Sequence, residues 1–311
     1  MENDLIAEST TIIGELETSL GVPTVVFVAN WTGEYSVDAD EKAGRLVADA
    51  IVDRLRAEGG DRIALVIAAR GGYPAFADAV LRTTRQLDVK LEALVPCRID
   101  GAAGTVAAAA DAATLHPGAG IGALDVGLCV APRRPMDAAL FAHCPVDPVR
   151  FAELDPADQS DLARLAFDRF IRDEQRRMAG YLLGADLQQE TVDWLLDARL
   201  GAGMTTGVDR LNEIGVDARV APDPLAEQLE ELIDWARGAL HLFETPDDRF
   251  RVSEDIETEV EFEPATLVPA AAILSGDMVW LHQLDTGSPD PDAPRLFGRW
   301  TFWNPTENQE E

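Results

Sequence analysis

The fold is predicted from a stretch that reads Ile63-Ala64-Leu65-Val66-Ile67-Ala68-Ala69 and continues as Arg70-Gly71-Gly72-Tyr73-Pro74. Seven apolar residues in a row suit a strand that is buried on both faces, and the glycine pair marks the turn that ends it. Residues from Ala75 to about Arg85 then have helical spacing. The stretch therefore predicts a strand, a turn and a helix in succession.

A second unit of the same kind follows directly. Its strand reads Leu91-Glu92-Ala93-Leu94-Val95-Pro96, and its turn reads Arg98-Ile99-Asp100-Gly101-Ala102-Ala103-Gly104-Thr105. The alanine-rich run that continues to Ala113 is predicted to form one closely packed helix. Because ligands bind beyond the carboxyl ends of the strands in an open parallel sheet, we expect both turns to face one crevice.

The preceding segments extend the same alternation. Residues 4–20 and 38–58 have the apolar spacing of amphipathic helices, and Thr24-Val25-Val26-Phe27-Val28-Ala29 is predicted to be a buried strand. Alternating strands and helices indicate an α/β domain with a parallel sheet and right-handed crossovers. Further helices are predicted at 156–184, 186–200 and 225–240.

The pattern changes towards the end of the chain. Residues 257–263 alternate with a period of two, and short β-like runs follow at 279–282 and 299–303. We expect residues 1–244 to form the α/β domain and residues 245–311 to form a small β-rich appendage that this domain does not need in order to fold. The tryptophans of the appendage are expected to pack onto the main domain, the alternative being that they clamp a partner.

The charge balance limits the partners. The 311 residues include 26 Lys and Arg against 56 Asp and Glu, which gives a net charge of −30. Nucleic acid and anionic membranes both require positive surface, so we expect neither as a partner. We interpret the acidic excess as halophilic adaptation to a saline cytoplasm, the alternative being a generally acidic solvated surface.

Cysteines and the N-terminus bear on location. Cys97, Cys129 and Cys144 have no metal-ligand spacing, and one stays unpaired in any disulfide scheme, which fits a reducing cytoplasm. The chain opens without a basic leader, and no uncharged segment is long and apolar enough to cross a bilayer. We therefore expect a cytoplasmic protein without a membrane anchor, a metal or a cofactor.

Several motifs, taken in order, resemble those of one family. They are Gly71-Gly72, Ala102-Ala103-Gly104-Thr105, Ala110-Asp111, His116-Pro117-Gly118-Ala119-Gly120-Ile121-Gly122, Met204-Thr205-Thr206-Gly207 and Glu213-Ile214-Gly215. Over roughly residues 20–220 this order is similar to the serine dehydrogenase proteinase family, which belongs to the Clp protease and crotonase superfamily and is related to signal peptide peptidase A. The resemblance implies a Clp/crotonase-like parallel sheet, with repeated ββα-type units and flanking helices, and a homo-oligomer.

One position departs from the family pattern. The resemblance implies a nucleophilic serine where this chain has Ala102, and an alanine methyl cannot attack a carbonyl. The resemblance also implies an oxyanion hole, with donors from the amide of Gly71 or Gly72 and from the amide of Ala103. The alternative for the glycine pair is a tight turn after a strand, with no further role.

Other hydroxyl or thiol groups are poor replacements for the missing serine. Thr105 is expected to lie one turn into the helix, where its hydroxyl would bond back to the helix backbone. Cys97 follows a predicted strand and would be inert if buried. Ser36 lies in the loop after the first strand, and nothing near it in the sequence identifies it as a nucleophile.

Bases are equally few. His116 and His143 are the candidates within the matched region, whereas His241 and His282 lie outside it. A serine-lysine dyad of the kind found in relatives is not expected, because the two lysines of the chain do not occupy a matching position. These are Lys42 and Lys90.

The sequence thus favours a serine-peptidase-like protein of the Clp/crotonase fold that is catalytically inactive and serves as a peptide-binding or noncatalytic subunit. Two enzymatic alternatives stay open. One is an active serine-type peptidase or hydrolase with another nucleophile. The other is a crotonase-like acyl-thioester enzyme, in which an oxyanion hole works without a serine. The turn at Asp100-Gly101 resembles that second group, but the glycine-rich run and the glutamate that should follow are missing.

Overall fold

A computed structural model of the chain describes residues 2–30, 39–122, 124, 144–183, 205–240, 267–276, 278–285 and 298–303. The helices in these ranges are α1 (Glu2–Leu20), α2 (Glu41–Glu58), α3 (Pro74–Gln86), α4 (Gly101–Ala108), α5 (Pro148–Ala152), α6 (Pro156–Leu183), α7 (Val208–Glu213) and α8 (Asp223–Leu240). The strands are β1 (Thr24–Ala29), β2 (Arg62–Ala68), β3 (Lys90–Val95), β4 (Arg98–Ile99), β5 (Ala112–Leu115), β6 (Gly120–Ile121), β7 (Ala218–Val220), β8 (Leu267–Ser275), β9 (Met278–Asp285) and β10 (Gly298–Trp303).

One large sheet forms the centre of the molecule, in the order β10-β9-β8-β1-β2-β3-β5-β7. The strands from β1 to β7 in this order are parallel to one another, whereas β8, β9 and β10 are joined by antiparallel pairing. The strands β4 and β6 form a separate parallel pair. The predicted α/β class is confirmed, as a mostly parallel sheet flanked by helices.

Strand β1 shows why apolar runs become central strands here. All six of its residues are buried, and their side chains alternate between two cores. Val25 and Phe27 lie in the core under α2 and α3, where the rings of Phe27 and Phe76 are 4.9 Å apart. Val26 and Val28 lie in the core under α1 and α8. Burial on both faces explains the continuous apolar run, and the strand and helix predictions for these segments are confirmed.

The alanine-rich helix is shorter than predicted. It ends at Ala108, and residues 112–115, which the sequence assigned in part to this helix, form strand β5 beside β3. The backbone amide of Asp111 donates to the carbonyl of Leu91 (2.9 Å), and the Asp111 carboxylate accepts from the Leu91 amide (2.8 Å). This pairing with β3 overrides the local helix propensity of alanine.

Three strands of the segment 245–311 belong to the main sheet. Strand β8 pairs with β1 from Val25 opposite Ser275 to Ala29 opposite Ala271, and residues 270–274 are fully buried. The strand predictions at 279–282 and 299–303 are confirmed by β9 and β10. The predicted strand at 257–263 and the predicted helix at 186–200 lie outside the described residues. The division of the chain at 244/245 stays a prediction, but β8 to β10 extend the sheet of the first segment.

The remaining helices agree with the predicted positions. The regions predicted at 156–184 and 225–240 form α6 and α8. Of the helices that the structure describes, none combines the length and the apolar character that a membrane span requires.

Candidate functional site

The structure brings together the two turns that the sequence singled out. Two backbone amides form hydrogen bonds that join the turn after β2 to the turn before α4. The amide of Ala102 donates to the carbonyl of Gly71 (2.8 Å), and the amide of Gly71 donates to Oδ1 of Asp100 (2.7 Å). These residues follow β2 and β3, so the contact lies at the carboxyl edge of the parallel strands, where such sheets bind ligands.

Glycines allow this close approach. Gly101 has a φ of +58°, and a Cβ added to it would lie 2.7 Å from the Cα of Gly71. Gly72 has a φ of +87°, and a Cβ added there would lie 2.6 Å from the Cβ of Ala39. Both positions therefore require a residue that has no side chain and tolerates a left-handed backbone.

Asp100 holds the two turns together. It is the N-cap residue of α4, but its carboxylate makes no capping hydrogen bond to that helix. Instead, Oδ1 accepts from Gly71, and Oδ2 accepts from Nε of Arg70 (2.8 Å). An N-cap aspartate usually accepts from an amide of the first helical turn. Because Asp100 is used elsewhere, it does not satisfy the amide of Ala103.

The predicted oxyanion donors are therefore not equivalent. The amide of Gly71 already donates a hydrogen bond to the carboxylate of Asp100. Gly72 and Ala103 are both buried, and the amide of neither donates a hydrogen bond to another residue in the described part of the chain. Ala102, at the position expected for a nucleophile, directly precedes Ala103 and is itself 2% exposed. Among the described residues, two buried backbone donors are thus without a hydrogen-bond partner.

The alternative nucleophiles are in unfavourable surroundings. The hydroxyl of Thr105 donates to the carbonyl of Gly101 (3.0 Å), as predicted for a hydroxyl inside a helix. Burial raises the pKa of the Cys97 thiol to about 12, against the smaller opposing effects of Arg70 and Arg237. A thiol in this state carries almost no thiolate at neutral pH. Ser36 lies outside the described residues.

Of the two histidines proposed as bases, the structure describes only His116. His116 directly follows β5, and its Nδ1 accepts a hydrogen bond from the amide of Gly118 (3.1 Å), so its ring stabilises its own turn. His143 lies outside the described residues. Lys90 begins β3 and therefore lies at the amino edge of the sheet, away from the two turns.

His282 was given no role by the sequence. It lies on β9, with its ring 5.1 Å from the ring of Trp300, and its Nδ1 is buried with no hydrogen-bond partner in the described part of the chain. Burial lowers its pKa, with a smaller opposing effect from Asp40 and a small further lowering by Lys42. The structure therefore favours the neutral imidazole at this position.

Two further motifs lie beside α4. The amide of Gly122 donates to the carbonyl of Ile99 (2.7 Å), and Ile121 forms a two-way backbone pair with Thr206 (3.1 and 2.7 Å). A Cβ added to Gly104 would lie 2.7 Å from Cδ2 of Leu124, which shows how closely this segment packs on the helix. The segments 116–122 and 204–207, far apart in sequence, thus meet where the structure describes them.

Sequence reasoning missed the charged part of the site. Arg70 and Arg98 approach the same carboxylate of Asp100, at 2.8 Å and 3.7 Å. The signal available was an aspartate directly before the small residues 101–104, but its partner lies about 30 positions earlier in the chain. Within the described ranges, no group of three or more His, Cys, Asp or Glu side chains is arranged to hold a metal ion.

Comparison with known proteins assigns no family. No protein-family model matches the chain, and no curated protein matches it.

Proposed function

We propose that the chain has a Clp/crotonase-like fold of the serine dehydrogenase proteinase type and binds peptides at a site that has lost its nucleophile. The order of the parallel strands supports this fold, because β1, β2, β3, β5 and β7 follow one another in the sheet as they do in the chain. The short pair β4 and β6 gives a second sheet, so that β3, β4 and α4 form one ββα unit.

The observation that carries the proposal is the position of Ala102. It lies in the first turn of α4, next to the buried amide of Ala103. Neither this amide nor that of Gly72 donates to a described residue. Backbone donors of this kind suit the oxygen of a peptide carbonyl. Because a methyl group cannot form an acyl bond, the site would hold a peptide without cleaving it.

The surroundings give less support to the enzymatic alternatives. Among the described residues, the Thr105 hydroxyl is engaged by its own helix and the Cys97 thiol is held protonated by burial. Acyl-thioester chemistry would need a carboxylate that is free to act as acid or base. The carboxylate nearest to the turn in sequence, that of Asp100, is held by Gly71 and Arg70.

We further propose that the protein is a cytoplasmic homo-oligomer. Helix α6 exposes large apolar side chains at Leu165 (40%), Met178 (43%) and Tyr181 (75%), as a helix that packs between subunits would. Light scattering at molar and at low salt tests this, and a double variant with Met178→Glu and Tyr181→Glu should have a lower mass than the wild type. A wild-type monomer in both salts would contradict the proposal.

Peptide binding is tested by backbone NMR of the 15N-labelled protein. The ligands are two pools of randomised tetrapeptides with acetylated N-termini, one with amidated C-termini and the other with free C-terminal carboxylates. We expect the amide resonances of Gly72 and Ala103 to shift with at least one pool, while those of Gly59 and Gly215, which lie in other turns, stay in place. Mass spectrometry of the pools should show no cleavage. Unchanged resonances at Gly72 and Ala103 with both pools would overturn the proposed function.

A further inference from the structure

Among the described residues, the guanidinium of Arg98 has no hydrogen-bond partner. Its side chain is only 24% exposed, and its Nε is buried. Its ion-pair partner among the described residues is Asp100, whose Oδ2 lies 3.7 Å from Nη2, beyond hydrogen-bonding distance. Arginine stays charged at any working pH, so this is a largely buried cation with five donors to satisfy.

Asp100 already accepts hydrogen bonds from other donors and does not satisfy those of Arg98. Its two oxygens already accept from the amide of Gly71 (2.7 Å) and from Nε of Arg70 (2.8 Å). One carboxylate thus faces two guanidinium groups, which leaves an excess positive charge in a chain whose net charge is −30. Buried charges are normally both paired and hydrogen-bonded, so an unmet guanidinium indicates that an anion belongs beside it.

Arg98 is continuous with the peptide site. Asp100, which it approaches, is the N-cap of the helix that supplies the Ala103 amide. The N-terminus of that helix also favours negative charge. Gly122 packs closely beside them, since a Cβ added there would lie 3.4 Å from Nη2 of Arg98 and 3.1 Å from Cβ of Asp100.

We propose that Arg98 binds the C-terminal carboxylate of the peptide, so that the site takes chain ends and not internal segments. This inference rests on the proposed function, because it names the class of ligand for the same site. The planar guanidinium can donate two parallel hydrogen bonds to a carboxylate. A chain end offers that carboxylate directly after the last peptide carbonyl, which matches a cation placed beside the turn of the amide donors.

The test compares two pools of randomised tetrapeptides, both acetylated at the N-terminus, one ending in a free carboxylate and the other in an amide. The protein is mixed with each pool at the salt concentration at which it is folded, separated by rapid gel filtration, and the retained peptides are counted by mass spectrometry. The proteins compared are the wild type, Arg98→Gln, Arg98→Lys and the control Arg82→Gln, which removes the same charge from an exposed position of α3.

We expect the wild type and Arg82→Gln to retain free acids at least roughly tenfold better than amides, the factor typical of a hydrogen bond to a charged group. Arg98→Gln should retain both pools alike, and Arg98→Lys should keep part of the preference. Equal retention of the two pools by the wild type would overturn the inference and leave the proposed function standing. Retention of only the Asp- or Glu-containing amides would overturn it in favour of an acidic side chain. Retention of neither pool would overturn both.

Should Arg98→Gln not fold, Arg98→Lys takes its place, and a preference for free acids that is undiminished in the variant would overturn the assignment to Arg98. The preference for the free carboxylate is the primary result, and the variants assign it to Arg98.

Discussion

The carboxylate of Asp100 accepts a hydrogen bond from the amide of Gly71 at 2.7 Å, although Asp100 is the N-cap of a different element, helix α4. This bond joins positions 29 apart in the chain and holds the turn after β2 against the turn before α4. It also withdraws the capping carboxylate from the first turn of α4. The arrangement of the site, and the free amide of Ala103 within it, depend on this one carboxylate.

The first prediction concerns Asp100→Ala. The change removes the acceptor for the Gly71 amide and for Arg70, and it leaves a second arginine, Arg98, without its counter-charge. We expect the free energy of unfolding to fall by about 1–3 kcal/mol, the usual cost of unsatisfied buried polar groups. Denaturant unfolding followed by tryptophan fluorescence measures this.

Asp53→Ala is the matched control for Asp100→Ala, because Asp53 is half-exposed and pairs with Arg56 at 3.5 Å on the surface of α2. Such a pair contributes at most about 1 kcal/mol. The importance given to Asp100 would be wrong if its removal cost no more than that of Asp53.

A second prediction compares two glycines with similar φ angles. Gly101 (φ +58°) and Gly21 (φ +66°) both have a positive φ, but only at Gly101 would an added Cβ meet other atoms, namely the backbone of Gly71. Gly21→Ala should therefore cost only the strain of about 1–2 kcal/mol. Gly101→Ala should cost clearly more and weaken peptide binding, because the two turns must separate. Equal losses of stability in the two variants would show that the turns are not in tight contact.

The sequence was sufficient to predict the buried strands, since apolar runs such as those of β1, β2 and β3 are typical of strands in the core of an α/β domain. It was insufficient for β5, because alanine favours a helix locally, whereas the pairing of Asp111 with Leu91 is a tertiary interaction. At the site, the sequence alone was sufficient to predict turns at the glycine pair and at the small residues after Asp100. The hydrogen bond between the Gly71 amide and Asp100 could not be predicted, because it depends on which strands become neighbours.

The third prediction follows from the raised pKa of Cys97, about 12 as a result of burial. The folded state holds the neutral thiol, so the thiolate should appear only as the pH approaches 12. At pH 8 we expect iodoacetamide to modify Cys97 roughly a thousandfold more slowly in the folded protein than in the unfolded chain. Peptide mass mapping after timed alkylation measures the rates. Fast modification of folded Cys97 would restore it as a candidate nucleophile.

The fourth prediction concerns a shortened chain that ends at Leu240. It lacks β8, which pairs with β1 along five positions and contributes Ile273 to the main core. The loss exposes the edge of β1 and the apolar side chains under it, so we expect no cooperative unfolding transition. Circular dichroism during thermal unfolding tests this. A cooperative transition would instead support an α/β domain that folds without residues 245–311, as the sequence suggested.

The milder variant Ile273→Ala keeps β8 and removes only its fully buried side chain. It should fold and lose about 2–5 kcal/mol of stability, the range for such truncations in a core. This result would separate the contribution of packing from that of strand pairing.

The central claim is that the site keeps its amide donors and has lost its nucleophile, and reaction with a fluorophosphonate tests it most directly. The wild type and Ala102→Ser are each incubated with the reagent, and the intact masses are measured. Because the first turn of α4 carries Ala102 at the position expected for a serine, and the ring of His116 is engaged by Gly118, we expect the wild type to gain no mass. We expect Ala102→Ser to stay unmodified too, since His116, the histidine candidate that the structure describes, is engaged in its own turn. A mass increase in the variant alone would show that a base survives and that only the serine was lost. Any covalent adduct on the wild type would contradict the account, and replacing Ser36, Cys97 and Thr105 one at a time by alanine would show whether one of them is the nucleophile.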